Sequence, residues 1–298
     1  MIIKEINCFS KTSVEKEYLC EEDCIQHRIL KIEFNYKDER IIKLMQKIRD
    51  KALGTAFNPA SSDGTLRSID EQNIKSIAGY LAEEVMHMLL IKYNKQINKY
   101  NLDNVKIKLD TSKSSINQID LKIQKTWMID ENNTESLTES IEVRSSFPFL
   151  PIETTVCKTF DVLGPYVNEI KIIENAKDYY LRLLFGIDYD EKYYMTYIDK
   201  NQLTKIDYNK TTINTLYQEY FDKDYLLKKN LVMYFVGGAT NEMMNNPSIS
   251  YYGSMESDIF NTEKNGLFKK IKLKNSLDAV SMIKLMLSVC TNENLDGK

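Results

Sequence analysis

The chain is poor in the residues that mark specialised architectures. Five cysteines in 298 residues are too few and too scattered for a disulfide scaffold. Cys157 and Cys290 lie in apolar text and read as small core residues. Five prolines and ten glycines rule out collagenous or linker-like organisation, and no internal repeat is present. No apolar run approaches the roughly 18 residues that span a bilayer, so no membrane segment is expected. The opening, "MIIKEINCFSK", sets charged and polar residues where a secretory signal needs an unbroken apolar stretch, and the expected location is the cytoplasm. A basic excess is also missing: 40 lysines and arginines face 43 acids, for a net charge of −3. That argues against nonspecific coating of polyanions and leaves open an enzyme whose cations line one cleft. Arginine itself is scarce, six of the 40 basic residues.

What remains is an ordinary globular composition, 43% hydrophobic and 28% charged, in a chain long enough for a sizeable core. "MIIKEINCF" and "HRILKIEFNY" read as strands. In the second, Leu30, Ile32 and Phe34 alternate with Lys31, Glu33 and Asn35. "DERIIKLMQKIRDKAL" has helical spacing, and "GTAFNPASSDGT" is a loop by composition. The longest helical signal follows, with Ser68 or Asp70 as cap and Ile74, Ile77, Ala78, Leu81, Val85, Met88 and Leu89 on one face. "NVKIKLD", "IDLKIQ" and "SIEVRSSF" are three strands of a meander, joined by the polar stretches "TSKSSINQ" and "DENNTESLTE". "IETTVCKTFDVL" and "YVNEIKIIENAK" read as helices broken at Gly164-Pro165. "DYYLRLLFGID", "KYYMTYIDK" and "LVMYFVGG" read as strands, and "SLDAVSMIKLMLSVC" as an amphipathic helix. The order predicts an α/β (α+β) domain with a mixed central sheet flanked by helices.

The chemistry-bearing residues fall on this framework in a pattern. Side chains alternate along a strand, so Glu142 and Arg144 point to one face of "SIEVRSS" while Ile141 and Val143 point to the other. The preceding strand carries Asp120, and the long helix carries Glu83 and Glu84 in "GYLAEE". Neighbouring strands lie about 4.8 Å apart, so carboxylates of Asp120 and Glu142 on a shared face could converge on one cation. Taken singly, each residue is also explained by ion pairs on a wetted sheet or helix face.

Taken in this order, the arrangement resembles the PD-(D/E)XK nuclease superfamily, the restriction-endonuclease-like fold. Its core runs helix, three-stranded meander, helix, strand, with an acid on the second strand and acid-x-lysine on the third. Gly79 and Glu83 have the Gly-x-x-x-Glu spacing often seen on its first helix, Asp120 matches the first acid, and Glu142-Val143-Arg144 matches acid-x-lysine. The resemblance covers residues 70 to 190 or so and implies a nuclease-like core over 67–200, an N-terminal strand and helix extension over 1–66 and a C-terminal elaboration over 201–298. It implies a metal-dependent DNA endonuclease of restriction or anti-phage defence. Asp120, Glu142 and the Val143 carbonyl would hold Mg²⁺, with Mn²⁺ as a substitute, Glu83 would reach the same ion through water or help a second ion, and Arg144 would orient the phosphate and stabilise the transition state. Two departures stand out: no proline closely precedes Asp120, and arginine replaces lysine at 144. Arginine does not give up its proton, so Lys122, on the face of Asp120, or Lys158 would have to supply an amine. The implied partners are DNA, a partner protein of a restriction or defence system and a second copy of the chain, with no membrane. The alternative is a catalytically inactive accessory subunit that keeps the fold and binds DNA or a partner protein.

Other residues carry weaker signals. Cys8, Cys20, Cys24 and His27 are four zinc-type ligands, but their spacing is not a usual zinc motif and structural Zn²⁺ is not favoured. His27 reads instead as a surface residue at a strand start. His87 follows Glu83 by one helical turn, where it either orients that acid or is an ordinary half-buried histidine. Gly237-Gly238 lacks the following Gly-Lys-Ser/Thr of a P-loop, so "GGATNEMMNNPSISYYGS" reads as a loop. The 19 tyrosines offer stacking surface for bases or, more simply, core at strand positions.

Overall fold

The computed structural model describes residues 1–11, 24–53, 69–100, 104–110, 119–130, 133–146, 160–167, 174–185, 221–253 and 267–289. Ten strands run in chain order: β1 (Ile2–Lys11), β2 (Cys24–Phe34), β3 (Val105–Leu109), β4 (Leu121–Met128), β5 (Thr134–Ser146), β6 (Asp161–Val167), β7 (Tyr179–Phe185), β8 (Leu231–Thr240), β9 (Ser250–Gly253) and β10 (Leu267–Lys272). The helices are α1 (Glu39–Leu53), α2 (Ile69–Ile97), α3 (Asn241–Asn245) and α4 (Ala279–Leu287). Seven strands form one mixed sheet in the order β1-β2-β8-β7-β5-β4-β3, and β6-β10-β9 form a second. In the large sheet only β5 and β7 are parallel neighbours. Segments from the beginning, middle and end of the chain are thus hydrogen-bonded into one sheet.

The alternating strand patterns explain the layering. Leu30, Ile32 and Phe34 of β2, Leu121 and Ile123 of β4, and Ile141 and Val143 of β5 share one core with α1, α2 and α4. The opposite side of the sheet presents Ile29, Tyr180, Leu184, Tyr234 and Val236 to Val162 of β6, Met244 of α3 and Ile271 of β10. The result is three layers: helices, the seven-stranded sheet, and the small sheet with α3. β7 is buried at every residue, as a strand covered on both faces must be. Among the described residues no helix is long and apolar enough to cross a membrane.

Several expectations are corrected. "DVLGPYV" is not helical: Asp161–Val167 is strand β6, at one edge of the small sheet. Its ladder to β10 slips between Phe268 and Lys270, passing over Gly164 and Pro165. An edge strand with a bulge tolerates a proline that cannot donate to the ladder. The Gly-Gly segment is not a loop either. Gly237 and Gly238 belong to β8, and α3 and β9 follow. Gly237 has φ +119, and a Cβ there would lie 2.1 Å from the Leu277 carbonyl. The two glycines let the chain entering α4 bond β8 directly, through Gly238 N to Leu277 O at 3.0 Å and the return bond at 2.9 Å. β5 also begins earlier than its apolar text, at Thr134, because the polar stretch "TESLTES" pairs with β4. The predicted loop at 54–65, the strand in "KYYMTYIDK", Lys158, Cys157 and Cys290 lie outside the described residues.

Candidate active site

β4 and β5 pair from Met128↔Thr134 to Leu121↔Ile141. One residue beyond, Asp120 N still donates to Ile141 O at 3.1 Å, so Asp120 stands opposite Glu142 and the two share a face. There the ladder ends. Instead of a backbone partner, the Val143 amide finds Asp120 Oδ2 at 2.7 Å. The carbonyl of a strand residue faces the same edge as its amide, so Val143 C=O also points to the edge that Asp120 occupies. Glu83 arrives from α2, which packs on β5 and β3 through Ala82, Val85, Met86 and Leu89. All three acids are buried, each 7% exposed.

Cations answer these charges from several elements. Lys51 of α1 places Nζ 3.4 Å from Glu83 Oε2 and 3.7 Å from the centre of the Tyr80 ring. Lys47, one turn earlier, pairs with Glu84 at 2.6 Å. Arg144 reaches Glu142 Oε1 at 3.2 Å, hydrogen-bonds Glu174 Oε2 through Nη2 and lies over the Phe268 ring, 5.7 Å from its centre. Glu174 stands on the segment that leads into β7. Farther along that segment, Lys177 N meets the Tyr180 hydroxyl at 2.8 Å, and Asp178 Oδ2 accepts from Ser140 N and Oγ, both at 2.7 Å.

The three acids hold their protons more tightly than free carboxyls do. Burial is the main force on Glu83, lifting its carboxyl to about 7, with Lys51 opposing and Glu142 and Glu84 adding repulsion. Burial also lifts Asp120 to about 7, the Glu83 charge adds to the rise, and the Val143 hydrogen bond and Arg144 work against it. Glu142 is pushed well above the usual carboxylate range, by burial first, against Arg144 and with Asp120 and Glu174 adding to the rise. Burial works against the Arg144 charge and is outweighed by Glu142, Glu174 and Asp120, so this guanidinium stays ionised. The Tyr180 phenol is pushed up to about 12, chiefly by burial. Carboxylates crowded in this way gain from any hard cation that enters, and their oxygen donors are of the type such cations prefer. Among the described residues no three His, Cys, Asp or Glu side chains are arranged as a metal shell.

The structure therefore brings Asp120, Glu142, Glu83 and Arg144 within electrostatic reach of one another beside the start of β4. It does not bring Lys122 there: Lys122 pairs with Asp110 at 3.5 Å and is 41% exposed. His87 does not orient Glu83, because its Nε2 donates to the Ile107 carbonyl at 3.3 Å. His27 is not a surface residue. It is 3% exposed, its Nε2 donates to Val236 O at 2.6 Å, and burial pulls its pKa down. Of the four zinc-type ligands, Cys8 stands opposite His27 in the β1–β2 ladder and Cys24 stands opposite Lys11. Cys20 lies outside the described residues. Sequence reading missed Lys51, Glu174, Lys177 and Tyr180. Glu174 and Lys177 sit in text that looked helical, and no local pattern links them to β5.

No protein-family model matches the chain, and no solved structure matches it. It is 29% identical over 221 residues to a protein of Methanocaldococcus jannaschii described as uncharacterized, an alignment that covers 72% of this chain and 70% of that one.

Proposed function

We propose that this protein is a metal-dependent phosphodiesterase acting on DNA, built on a restriction-endonuclease-like core. The observation that carries the reading is that Glu83, Asp120 and Glu142 are buried and act on one another's charge beside the start of β4, where Asp120 takes the Val143 amide. The path of the chain supports it: helix α2, the antiparallel run β3–β4–β5, a crossover, and β7 returning parallel to β5.

The donor set fits a hard divalent cation in kind. Asp120, Glu142 and the Val143 carbonyl would hold it, with Glu83 behind them. Bound there, Mg²⁺ would acidify a water and offset charge on a scissile phosphate. The chain's own residues divide the remaining work. Asp120 is locked by the Val143 amide, so its free oxygen is held in one orientation. The Arg144 guanidinium, flanked by Glu142 and Glu174, presents a planar donor fork suited to a phosphate oxygen. Tyr80 and Lys51 hold Glu83 from the helix side.

Cleavage of linear and supercoiled DNA with Mg²⁺, Mn²⁺ or EDTA tests the proposal. Metal-dependent cleavage that falls at least about a hundredfold in Glu142→Ala is the expected outcome. Cleavage that persists in that variant would overturn it. One observation favours a second reading. Arg144 is already engaged by Glu142 and Glu174, an arrangement that also suits an inactive accessory subunit binding DNA or a partner protein. Under that reading no substrate is cut and DNA binding is unchanged by Glu142→Ala.

A further inference from the structure

Lys177 is 3% exposed, yet its ammonium has no hydrogen-bond or ion-pair partner among the described residues. The neighbouring cations differ. Lys51 is on Glu83, Lys122 on Asp110, Lys125 on Glu139, and Arg144 on Glu142 and Glu174. A lysine so largely withdrawn from water, with no hydrogen-bond or ion-pair partner of its own among the described residues, has donors left to offer a ligand.

The position of Lys177 is built rather than incidental. Three residues earlier, Glu174 is tied to Arg144 of β5. One residue later, Asp178 is tied to Ser140 of β5. The segment between them therefore runs along β5 beside the intervening residue on the same face, Glu142. The Lys177 backbone is pinned by the hydroxyl of Tyr180, whose Cα is paired with Glu142. The Lys177 charge is felt there, drawing the Glu142 carboxyl down. A cation with unused donors thus stands on a held stretch of backbone, within electrostatic reach of Glu142.

We infer that Lys177 is an anion-binding residue of this site, donating to a non-bridging oxygen of the phosphodiester that the carboxylates face. The identity of the anion rests on the phosphodiesterase reading. Lys177 itself is placed by geometry. Its role is to bind and stabilise charge on the phosphate, which the spoken-for Lys122 cannot do from its place on Asp110.

The test measures binding of a short fluorescent DNA duplex to wild type, Lys177→Met and Lys177→Arg in Ca²⁺, with inorganic phosphate as competitor, alongside thermal melting. The methionine variant is expected to bind at least about tenfold more weakly, and the arginine variant to keep most of the affinity. Phosphate is expected to compete with the duplex on wild type and not on the methionine variant. Melting is expected to be little changed in Lys177→Met, because an apolar side chain of similar length keeps the packing of the lysine stem and no hydrogen bond or ion pair among the described residues is lost. Equal duplex binding by wild type and Lys177→Met, no binding by wild type, or a marked fall in melting temperature in the methionine variant would each overturn the inference. DNA cleavage by wild type separates the two ideas. Cleavage without Lys177 dependence keeps the phosphodiesterase and removes this role. Lys177-dependent binding without cleavage keeps the anion site and removes the phosphodiesterase.

Discussion

At the scale of single residues, the site is governed by one guanidinium among several acids. Arg144 serves Glu142 and Glu174 together and stacks on Phe268. Removing it strands two carboxylates in a poorly hydrated place, which is far costlier than losing a surface pair. Arg144→Ala is expected to destabilise the fold by about 3 kcal/mol, toward the lower end for a broken buried pair, since Arg144 keeps 24% of its side chain in water. Urea unfolding checks this, and a loss under about 1 kcal/mol would place the pair among ordinary surface bridges. The face shared by Glu142 and Arg144 was legible from alternation alone, whereas Asp120 joins it only through the register of β4 on β5. The bond between Asp120 and the Val143 amide was not, because a strand pattern does not say where its ladder stops.

At the scale of elements, two glycines behave oppositely. Gly79 sits inside α2, and a Cβ there would meet nothing within 4 Å. Glycine inside a helix costs conformational entropy without return, so Gly79→Ala is expected to stabilise the protein by ~0.5–1 kcal/mol, seen as a higher melting temperature. A loss of stability would mean that a neighbour needs that space. Gly237 is the reverse case, with positive φ and the Leu277 carbonyl pressed against it. Gly237→Ala is expected to cost at least about 2 kcal/mol and to loosen the junction between β8 and α4, read as faster amide exchange at Gly238 and Leu277. Helices α1, α2 and α4 and strands β1–β5 follow from periodicity; α1 and α4 keep a wet face, whereas α2, among its described side chains, exposes almost nothing before Lys92. Strand β6 was misread because its Gly164-Pro165 break mimics a helix end, and only pairing with β10 makes it a strand.

At the scale of the whole molecule, the buried acids make stability depend on pH. Folded Glu83 and Asp120 titrate near 7, against 4.5 and 3.8 when unperturbed. Glu142 is shifted the same way. Between those limits the folded chain holds protons that the unfolded chain releases, so stability falls as pH rises. In EDTA, unfolding free energy is expected to be greatest near pH 4, apart from other groups, and to decline toward about pH 7, with the slope reduced in Glu83→Gln. Added Mg²⁺ is expected to restore stability above about pH 7, where it no longer competes with protons. Denaturant titrations across this range decide the matter. A profile identical in wild type and Glu83→Gln would show that the acids do not share a field.

The sequence by itself determined the mixed α/β character of the chain, the helix bearing Glu83, and the common face of Glu142 and Arg144. These depend on periods of two and 3.6 residues and on order along the chain, which local text carries. Only the tertiary structure decided that Glu174 and Lys177 come back to β5, that Lys51 crosses from α1 to Glu83, and that His27 is buried against β8. Each of those contacts joins residues about 30 or more apart, apart from the local turn at Tyr180. Such contacts depend on which strands become neighbours, and burial of whole faces settles that choice.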